Sequence, residues 1–571
     1  MGFKVSVLGI PESKGLRDVL REKGKLGIII SGLCVAVALF HIITSCIGAL
    51  EALEHRSVHL TFFLMIIFLS SSLKNEKKWY LALNVLFSLL ALTVGIYVYV
   101  QGSEIPARLG EPIFWDYLFG TIIILLTLEG ARRVVGLPIA VLSFLFLLYA
   151  YFGPYFPGFL RHPGYSFSEI INVQFLDMVG LWGIPLGTMS TFIIIFLIFA
   201  GLLMETGMVD VFIDIANKIF GTRIGGPAKV AIVSSTLMGS ISGSAAANVL
   251  VTGSVSIPTM KRLGYDSTFA GAVEAAVSSG GQFMPPIMGA SAFIIASILG
   301  IAYIQVCKAA ILPALLWFFS FYMMVHFEAK RLGLGRLSKE EVGDISISSI
   351  LKRIYLLIPL ALLVYLLVVG YSPMYADFIC VVALLALSFI RKETRFTLSS
   401  FFSGLEKGIK SALSVSMACA AAGIIVGAVM QSGLGYMLSG SLVSLSQGKM
   451  IFILPLVLLA SLILGMGMTT VGAYIIVATL VAPALIKIGV PPIAAHLFPF
   501  YFAIVSAITP PVAVAAYSAA GISGADPWST GITAFKLALP ALCIPFVFVT
   551  QPALLIIGEA HKVILVFLKT A

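Results

Sequence analysis

Charge is what this sequence has least of. Only 11% of its 571 residues are Asp, Glu, Lys or Arg, against roughly 25% in a soluble globular protein. A soluble fold of that composition would leave far more apolar surface against water than it could bury, so soluble enzymes and soluble binding modules are excluded. Catalytic signatures are missing too. There is no GxxxxGK[ST] phosphate loop, no HExxH, no GxSxG elbow and no haem motif, which removes P-loop ATP hydrolysis and the common zinc and serine hydrolases. No Arg-rich voltage-sensor helix is present. The six cysteines (Cys34, Cys46, Cys307, Cys380, Cys419 and Cys543) form no CxxC pair and no His/Cys cluster of zinc spacing, so they read as small apolar packing residues. No catalytic residue, no resident metal beyond a coupling cation and no organic cofactor is expected.

What is present is apolar length. Leu26–Leu50 and Phe192–Met204 contain no charged residue, and from Ser411 to Thr550 only Lys449, Lys487, Asp526 and Lys536 are charged. A bilayer span needs about 20 mostly apolar residues, so the chain predicts an all-α polytopic membrane protein of about 15 or 16 spans plus two re-entrant hairpins. The net charge of +10 lies in short clusters between apolar runs: the segment up to Lys25, Lys74/Lys77/Lys78, Arg132/Arg133, Lys330/Arg331/Arg336 and Arg391/Lys392/Arg395. Such clusters follow the positive-inside rule, and their partners are the cytoplasm and anionic lipid rather than nucleic acid. Spans are expected near 26–50, 57–73, 79–100, 114–130 and 137–152, with the N-terminus cytoplasmic.

Six regions follow. Residues 1–25 form a cytoplasmic segment, and 26–180 a scaffold with a joining helix; an aromatic and Gly/Pro-rich connection, 153–184, is expected to lie outside. Residues 181–329 carry a first repeat with a hairpin near 228–262. Residues 330–353 are a polar cytoplasmic connector. Residues 354–556 carry a second repeat with a hairpin near 456–488, and 557–571 form a tail. Val209–Phe220 reads as an amphipathic helix, with Val211, Phe212, Ile215 and Ile219 on one face, a pattern suited to the membrane interface.

The repeat is the most informative feature. At an offset of 225, Pro258 matches Pro483, Gly264 matches Gly489, and Pro285-Pro286 matches Pro510-Pro511. The segment Gly239–Ser244 falls opposite Gly465–Thr470 within one residue of that offset. The first copy carries Lys261 and Arg262 beside its glycine and the second a single Lys487, an asymmetry expected of copies on opposite membrane sides. Inverted repeats with broken helices mark secondary transporters.

In each copy a Gly- and hydroxyl-rich segment interrupts an apolar run, as a hairpin tip at membrane depth does where it is buried in protein or lines a wet cavity. Freed carbonyls at a break suit a small cation, and exposed N–H groups at the next helix start suit a carboxylate. Proline removes a donor and clashes with the preceding turn, so Gly281–Pro286 and Ser506–Pro511 should be unwound and face the tips. Small residues also permit close helix packing in lipid, but two related patches, each followed by a Pro-Pro break, favour a site. Two ionisable residues in apolar segments, Glu274 and His496, are candidates for proton coupling. Glu129, close to Arg132 and Arg133, reads as an ion pair.

The motifs GSISGSAAANVLVTGSVSIPTMKRLGY, SSGGQFMPPIMGASAF, GMGMTTVGAY and AITPPVAVAAY resemble the permease of a tripartite ATP-independent periplasmic (TRAP) transporter. The resemblance covers essentially the whole chain and is strongest to the fused TAXI form, in which small and large (DctM-like) membrane subunits are one chain. It implies an elevator-type symporter in the cytoplasmic (inner) membrane of a bacterium or archaeon, fed by a periplasmic TAXI-type substrate-binding protein. It implies one ion site among Gly239, Ser242, Ser244, Gly281, Met284 and Pro286, and a second among Gly465, Gly467, Thr469, Thr509, Pro511 and Val514. Substrate contacts would be Ser244, Asn248, Thr470, Pro285 and Pro510. The coupling ion would be Na+ or H+, and the substrate a small organic acid such as glutamate, 2-oxoglutarate or a C4 dicarboxylate. The rival readings are a stand-alone ion-coupled carrier, a channel, and a polytopic enzyme acting on lipid.

Overall fold

The computed structural model describes residues 16–73, 77–334, 350–465 and 467–571. The expected cytoplasmic segment 1–25 and connector 330–353 lie largely outside these residues. The protein is 81% helical, with no strand among the described residues. Among the described residues, eight helices are long and apolar enough to cross a membrane, and a bent pair, Pro527–Ala538 with Pro540–Thr550, makes a ninth. Eight further apolar helices have only 10–17 residues. The expected 15 or 16 spans are thus divided between these long helices and shorter apolar ones, of which Ala290–Leu299 and Val514–Ser523 have only ten residues.

The first five apolar helices run Leu16–Ile47, Ala52–Ser72, Lys78–Val100, Phe114–Val134 and Leu137–Tyr151, within a few residues of the expected spans. Leu16–Ile47 kinks at Gly24. Glu129 pairs with Arg132 and Arg133 at 2.7 and 2.6 Å. None of the six cysteines is in a disulfide, and four of them are buried.

A 35-residue helix, Leu398–Ser432, is the spine of the molecule. Four of the five N-terminal helices pack on it, as do Ile194–Glu205 and the second hairpin arm Thr470–Lys487. Gly404, Gly408, Gly423 and Gly427 let neighbours approach closely: a methyl on Gly408 would lie 2.7 Å from Ile198 Cα, and one on Gly427 would lie 2.8 Å from Gly180 Cα. The spine and the N-terminal helices are also tied by a polar chain in which His59 bridges His41 (3.0 Å) and Ser416 (2.8 Å).

The expected outside connection 153–184 divides in two. Tyr155, Phe159 and Phe167 are exposed, but Phe175, Leu176, Leu181 and Trp182 are buried, and Gln174 Nε2 donates to Ile424 O of the spine at 3.1 Å. Apolar side chains close to a glycine-rich helix face fold inward rather than staying in a loop. Met208–Phe220 is amphipathic as expected, with Met208, Val211, Phe212 and Ala216 buried, and Asp214 on its other face pairs with Arg353 at 3.3 Å. The C-terminal tail forms a helix, Ala560–Thr570, with Val566 buried.

The repeat is visible in the backbone. Gly226–Ser242 and Ala245–Arg262 form the first hairpin, and Met450–Gly465 and Thr470–Lys487 the second. Each then has a left-handed glycine, Gly264 (φ 96°) or Gly489 (φ 92°), and a helix, Ser267–Gly280 or Pro492–Ser506. Each continues into a cis Pro-Pro pair, 285-286 or 510-511, and a left-handed Met288 or Ala513. A ten-residue helix follows, Ala290–Leu299 or Val514–Ser523. The packing is reciprocal: Ala245–Arg262 rests on Val514–Ser523, and Thr470–Lys487 rests on Ala290–Leu299.

Candidate functional site

Each hairpin turns at a glycine and restarts its helix on a hydroxyl. Gly243 takes φ 60° at the end of one arm, and Ser244 caps the next by accepting from Ala247 N at 3.4 Å. Gly467 takes φ 78°, and Thr469 accepts from Gly472 N at 3.3 Å. Ser244 and Thr469 are equivalent at the offset of 225. Each cap satisfies one of four free N–H groups at a helix start, so both 18-residue arms keep donors and a positive dipole end at the tip.

The two tips share one cavity of about 310 Å³. Gly243–Ala246 line it from the first hairpin, and Gly465 and Gly467–Val471 from the second. The unwound segments contribute Gln282 from one repeat and Ser506, Ala507, Val512 and Val514 from the other. Val134 and Val135 and, from the spine, Ser414 and Val415 also line it. A second cavity of about 270 Å³ shares Gly243, Ser244, Ser414 and Val415 with the first and adds Ser242 and Lys410.

The expected ion-site residues divide by geometry. Gly239 and Gly281 are pressed together: a methyl on Gly239 would lie 2.6 Å from Gly281 Cα. In the second repeat Gly465 meets Ser506 in the same way, at 3.0 Å from its Cβ. Ser242 Oγ is buried with no hydrogen-bond partner, which suits a ligand atom. Ser244, Gly465, Gly467, Thr469 and Val514 all line the cavity. Met284 N donates to Gly281 O at 3.1 Å, and Thr509 O accepts from Ala513 N at 3.2 Å, so both stay within their own turns. Pro286 O accepts from Tyr303 Oη at 3.1 Å, and Pro511 O from Tyr517 Oη at 2.6 Å. Those two carbonyls are taken by tyrosines.

Among the expected substrate contacts, Ser244 and Thr470 line the cavity and three others do not. Asn248 is fully buried, and its Nδ2 donates to Ser235 O at 2.8 Å, holding the two arms of the first hairpin together. Pro510 packs on Gly531, where a methyl would lie 3.0 Å from its Cγ. Pro285 does not line the cavity. His496 accepts from or donates to Tyr474 Oη at 2.8 Å and faces a separate apolar cavity with Pro185, Val426 and Pro483. Glu274 lies in neither cavity, but in a cage of hydroxyls inside the first repeat.

Two residues were not anticipated. Gln282 lines the cavity with a buried Nε2 that has no partner. An unsatisfied buried amide donor costs roughly 1–3 kcal/mol, which a ligand oxygen would relieve. Lys410 lines the adjoining cavity, its ammonium 2.7 Å from Glu406 and half exposed. The only sequence signal was position: Gln282 is the one amide between Gly281 and Pro285, and Lys410 the last cation before a long uncharged run.

The family described as "Tripartite ATP-independent periplasmic transporter, DctM component" matches residues 122–562. A TRAP transporter large permease protein of Haemophilus influenzae is 24% identical over 76% of this chain and 97% of its own length. The isethionate TRAP transporter permease protein DctMQ of Oleidesulfovibrio alaskensis is 25% identical over 58% of this chain and 52% of its own length. The 2,3-diketo-L-gulonate TRAP transporter large permease protein YiaN of Escherichia coli is 24% identical over 62% of this chain and 83% of its own length. With paired hairpin tips, a polytopic helical fold and a family match over most of its length, the chain belongs to the DctM family of TRAP transporter large permeases, and it is a transporter component rather than an enzyme.

Proposed function

We propose that this chain is a fused small-and-large TRAP permease of the TAXI type. In this reading it sits in the cytoplasmic membrane with its N-terminus inside. It imports a small organic acid, delivered by a periplasmic binding protein, down a sodium or proton gradient. The observation that carries the reading is the single cavity into which both helix N-termini open. A carboxylate there would meet free N–H groups and two dipole ends, with Gln282 as an added donor. Lys410 would draw the anion in through the adjoining cavity. Relatives named for isethionate and 2,3-diketo-L-gulonate support an organic acid, and two N-termini lining one cavity favour a dicarboxylate such as glutamate or 2-oxoglutarate.

The fusion is supported by the part of the chain before residue 122, which lies outside the family match and packs on the spine as a scaffold. The elevator movement is supported by the cavity wall: both tips share the cavity with residues 134 and 135 and with 414 and 415 of the spine, a boundary along which the tips would slide. Ser242, with its unpartnered hydroxyl, and Gly465, Gly467 and Thr469 would hold the coupling cation.

The test is uptake of labelled C4–C5 dicarboxylates into proteoliposomes holding the purified chain, with and without its binding protein, under a sodium or a proton gradient. Uptake needing both the binding protein and one gradient is expected. Uptake without the partner would identify a stand-alone carrier, and gradient-independent flux a channel.

A further inference from the structure

Glu274 is the one carboxylate in the first repeat's core, fully buried on Ser267–Gly280. Its Oε1 lies 2.6 Å from Ser235 Oγ, 2.5 Å from Thr252 Oγ1 and 3.1 Å from Ser278 Oγ, and its Oε2 lies 2.5 Å from Ser256 Oγ. The hydroxyls come from both hairpin arms and from the helix of Glu274 itself. No lysine, arginine or histidine pairs with it among the described residues. The ionisable groups on the packed helices have other partners or lie elsewhere. Lys229 meets His326 at 3.0 Å, Lys261 donates to Ser523 O at 2.5 Å, Arg331 pairs with Glu328, and Tyr303, Tyr501 and His496 bond to Pro286 O, Ala541 O and Tyr474. Arg262, Lys308, Lys330, Asp526 and Lys536 complete the charged groups on those helices, and none of them bonds to Glu274.

Counting hydrogens shows what the cage can hold. Thr252 Oγ1 also lies 2.8 Å from Asn248 O and from Ser235 Oγ. Four short contacts among Ser235, Thr252, Glu274 Oε1 and Asn248 O thus draw on only two hydroxyl hydrogens, and a proton on Oε1 supplies a third. Once that proton leaves, the hydroxyls rotate to donate to the carboxylate, and O–H···O⁻ bonds of about 2.5–2.7 Å are normal. A lysine or arginine would lock the ionised form, whereas hydroxyls accommodate both forms. A cation of calcium's size, which sodium shares, holds oxygens at about 2.3–2.6 Å and would spread these ligands wider than the contacts observed. Ionising a buried carboxyl that has no countercharge is costly, so release of the proton would need water or a cation to reach the cage.

The second repeat shows that the hairpin needs no such cage. At the same offset Thr252, Ser256, Glu274 and Ser278 become Val477, Val481, Pro499 and Ala503, and Asn248 becomes Ala473. The same backbone is there built on apolar packing.

We infer that the Glu274 carboxyl, held by Ser235, Thr252, Ser256 and Ser278, is an exchangeable proton site that couples the first hairpin to the transmembrane proton gradient. The inference rests on the proposed transport function for its coupling role, but not for the site itself. Infrared difference spectra of the full chain in nanodiscs, recorded across a pH series, test the site directly. A carboxylic-acid C=O band that disappears as pH rises, is absent from Glu274→Gln and is indifferent to sodium is expected. Ser256→Ala, which removes one hydroxyl and keeps the carboxyl, should retain the band and move its midpoint by at least one pH unit. A band displaced by sodium, or one unchanged in Glu274→Gln, would overturn the inference. In proteoliposomes, the ratio of proton-driven uptake to substrate exchange should fall at least tenfold in Glu274→Gln, and an unaltered ratio would overturn the coupling role. If the wild type moves no organic acid, the functional reading fails while the infrared titration still decides the site.

Discussion

Gly239 and Gly281 meet backbone to backbone across the first hairpin, so close that a methyl on either would stand 2.6 Å from the other's Cα. Neither partner can yield, because the near atoms are main chain on both sides. Gly239→Ala should therefore cost about 1–3 kcal/mol by overpacking and lower uptake at least tenfold. Thermal unfolding in detergent and proteoliposome uptake measure the two effects. Wild-type stability and uptake would show that the tip tolerates a looser approach.

Asn248 separates a structural from a substrate-contacting role. Its amide bridges the hairpin arms through Ser235 O and lies outside the cavity lining. Asn248→Ala should lower stability by about 1–3 kcal/mol through the buried group left unpaired and reduce maximal uptake, with KM changing less than about threefold. A large rise in KM at full stability would return Asn248 to the substrate.

Gln282 should behave in the opposite way. Its unpartnered Nε2 is the free side-chain donor expected to meet a ligand carboxylate, and a hydrogen bond to a charged group contributes about 1.5–3 kcal/mol. Gln282→Ala should raise KM roughly tenfold or more, and Gln282→Glu further through like charge. Unchanged concentration dependence in both would remove Gln282 from the site.

Lys410 is a weaker and salt-dependent contributor. It is half exposed and paired with Glu406, so screening limits it. Lys410→Ala should raise KM about two- to fivefold at low ionic strength, with the difference fading at high salt. A salt-independent effect would mean direct contact rather than steering.

The architecture was legible wherever a local rule acts. Apolar run length located Ala52–Ser72 and Lys78–Val100. The Pro and Gly offset of 225 foretold a repeat whose caps, Ser244 and Thr469, occupy equivalent positions. Relationships between distant segments were not legible. Pro286 O and Pro511 O are consumed by Tyr303 and Tyr517, which no spacing rule announces. Residues 170–182 fold inward because Gly423 and Gly427, about 250 residues away, leave room for Gly180. Lys410 reaches the adjoining cavity only through the packing of the spine. Glu274 stood out as a carboxylate in an apolar run, but its hydroxyl partners span 44 residues, from Ser235 to Ser278, and become a cage only when the hairpin closes.

The cavity at the two tips is proposed as the substrate site, carried from one side of the membrane to the other. Thr470, at the second tip, reports on it directly. With exposed Cys46 and Cys543 replaced by serine, Thr470→Cys would be labelled with a membrane-impermeant thiol reagent from each side of oriented proteoliposomes, with and without saturating substrate. Labelling from both sides, slowed by substrate, is expected. Labelling from one side only, at a rate indifferent to every transported acid, would contradict it.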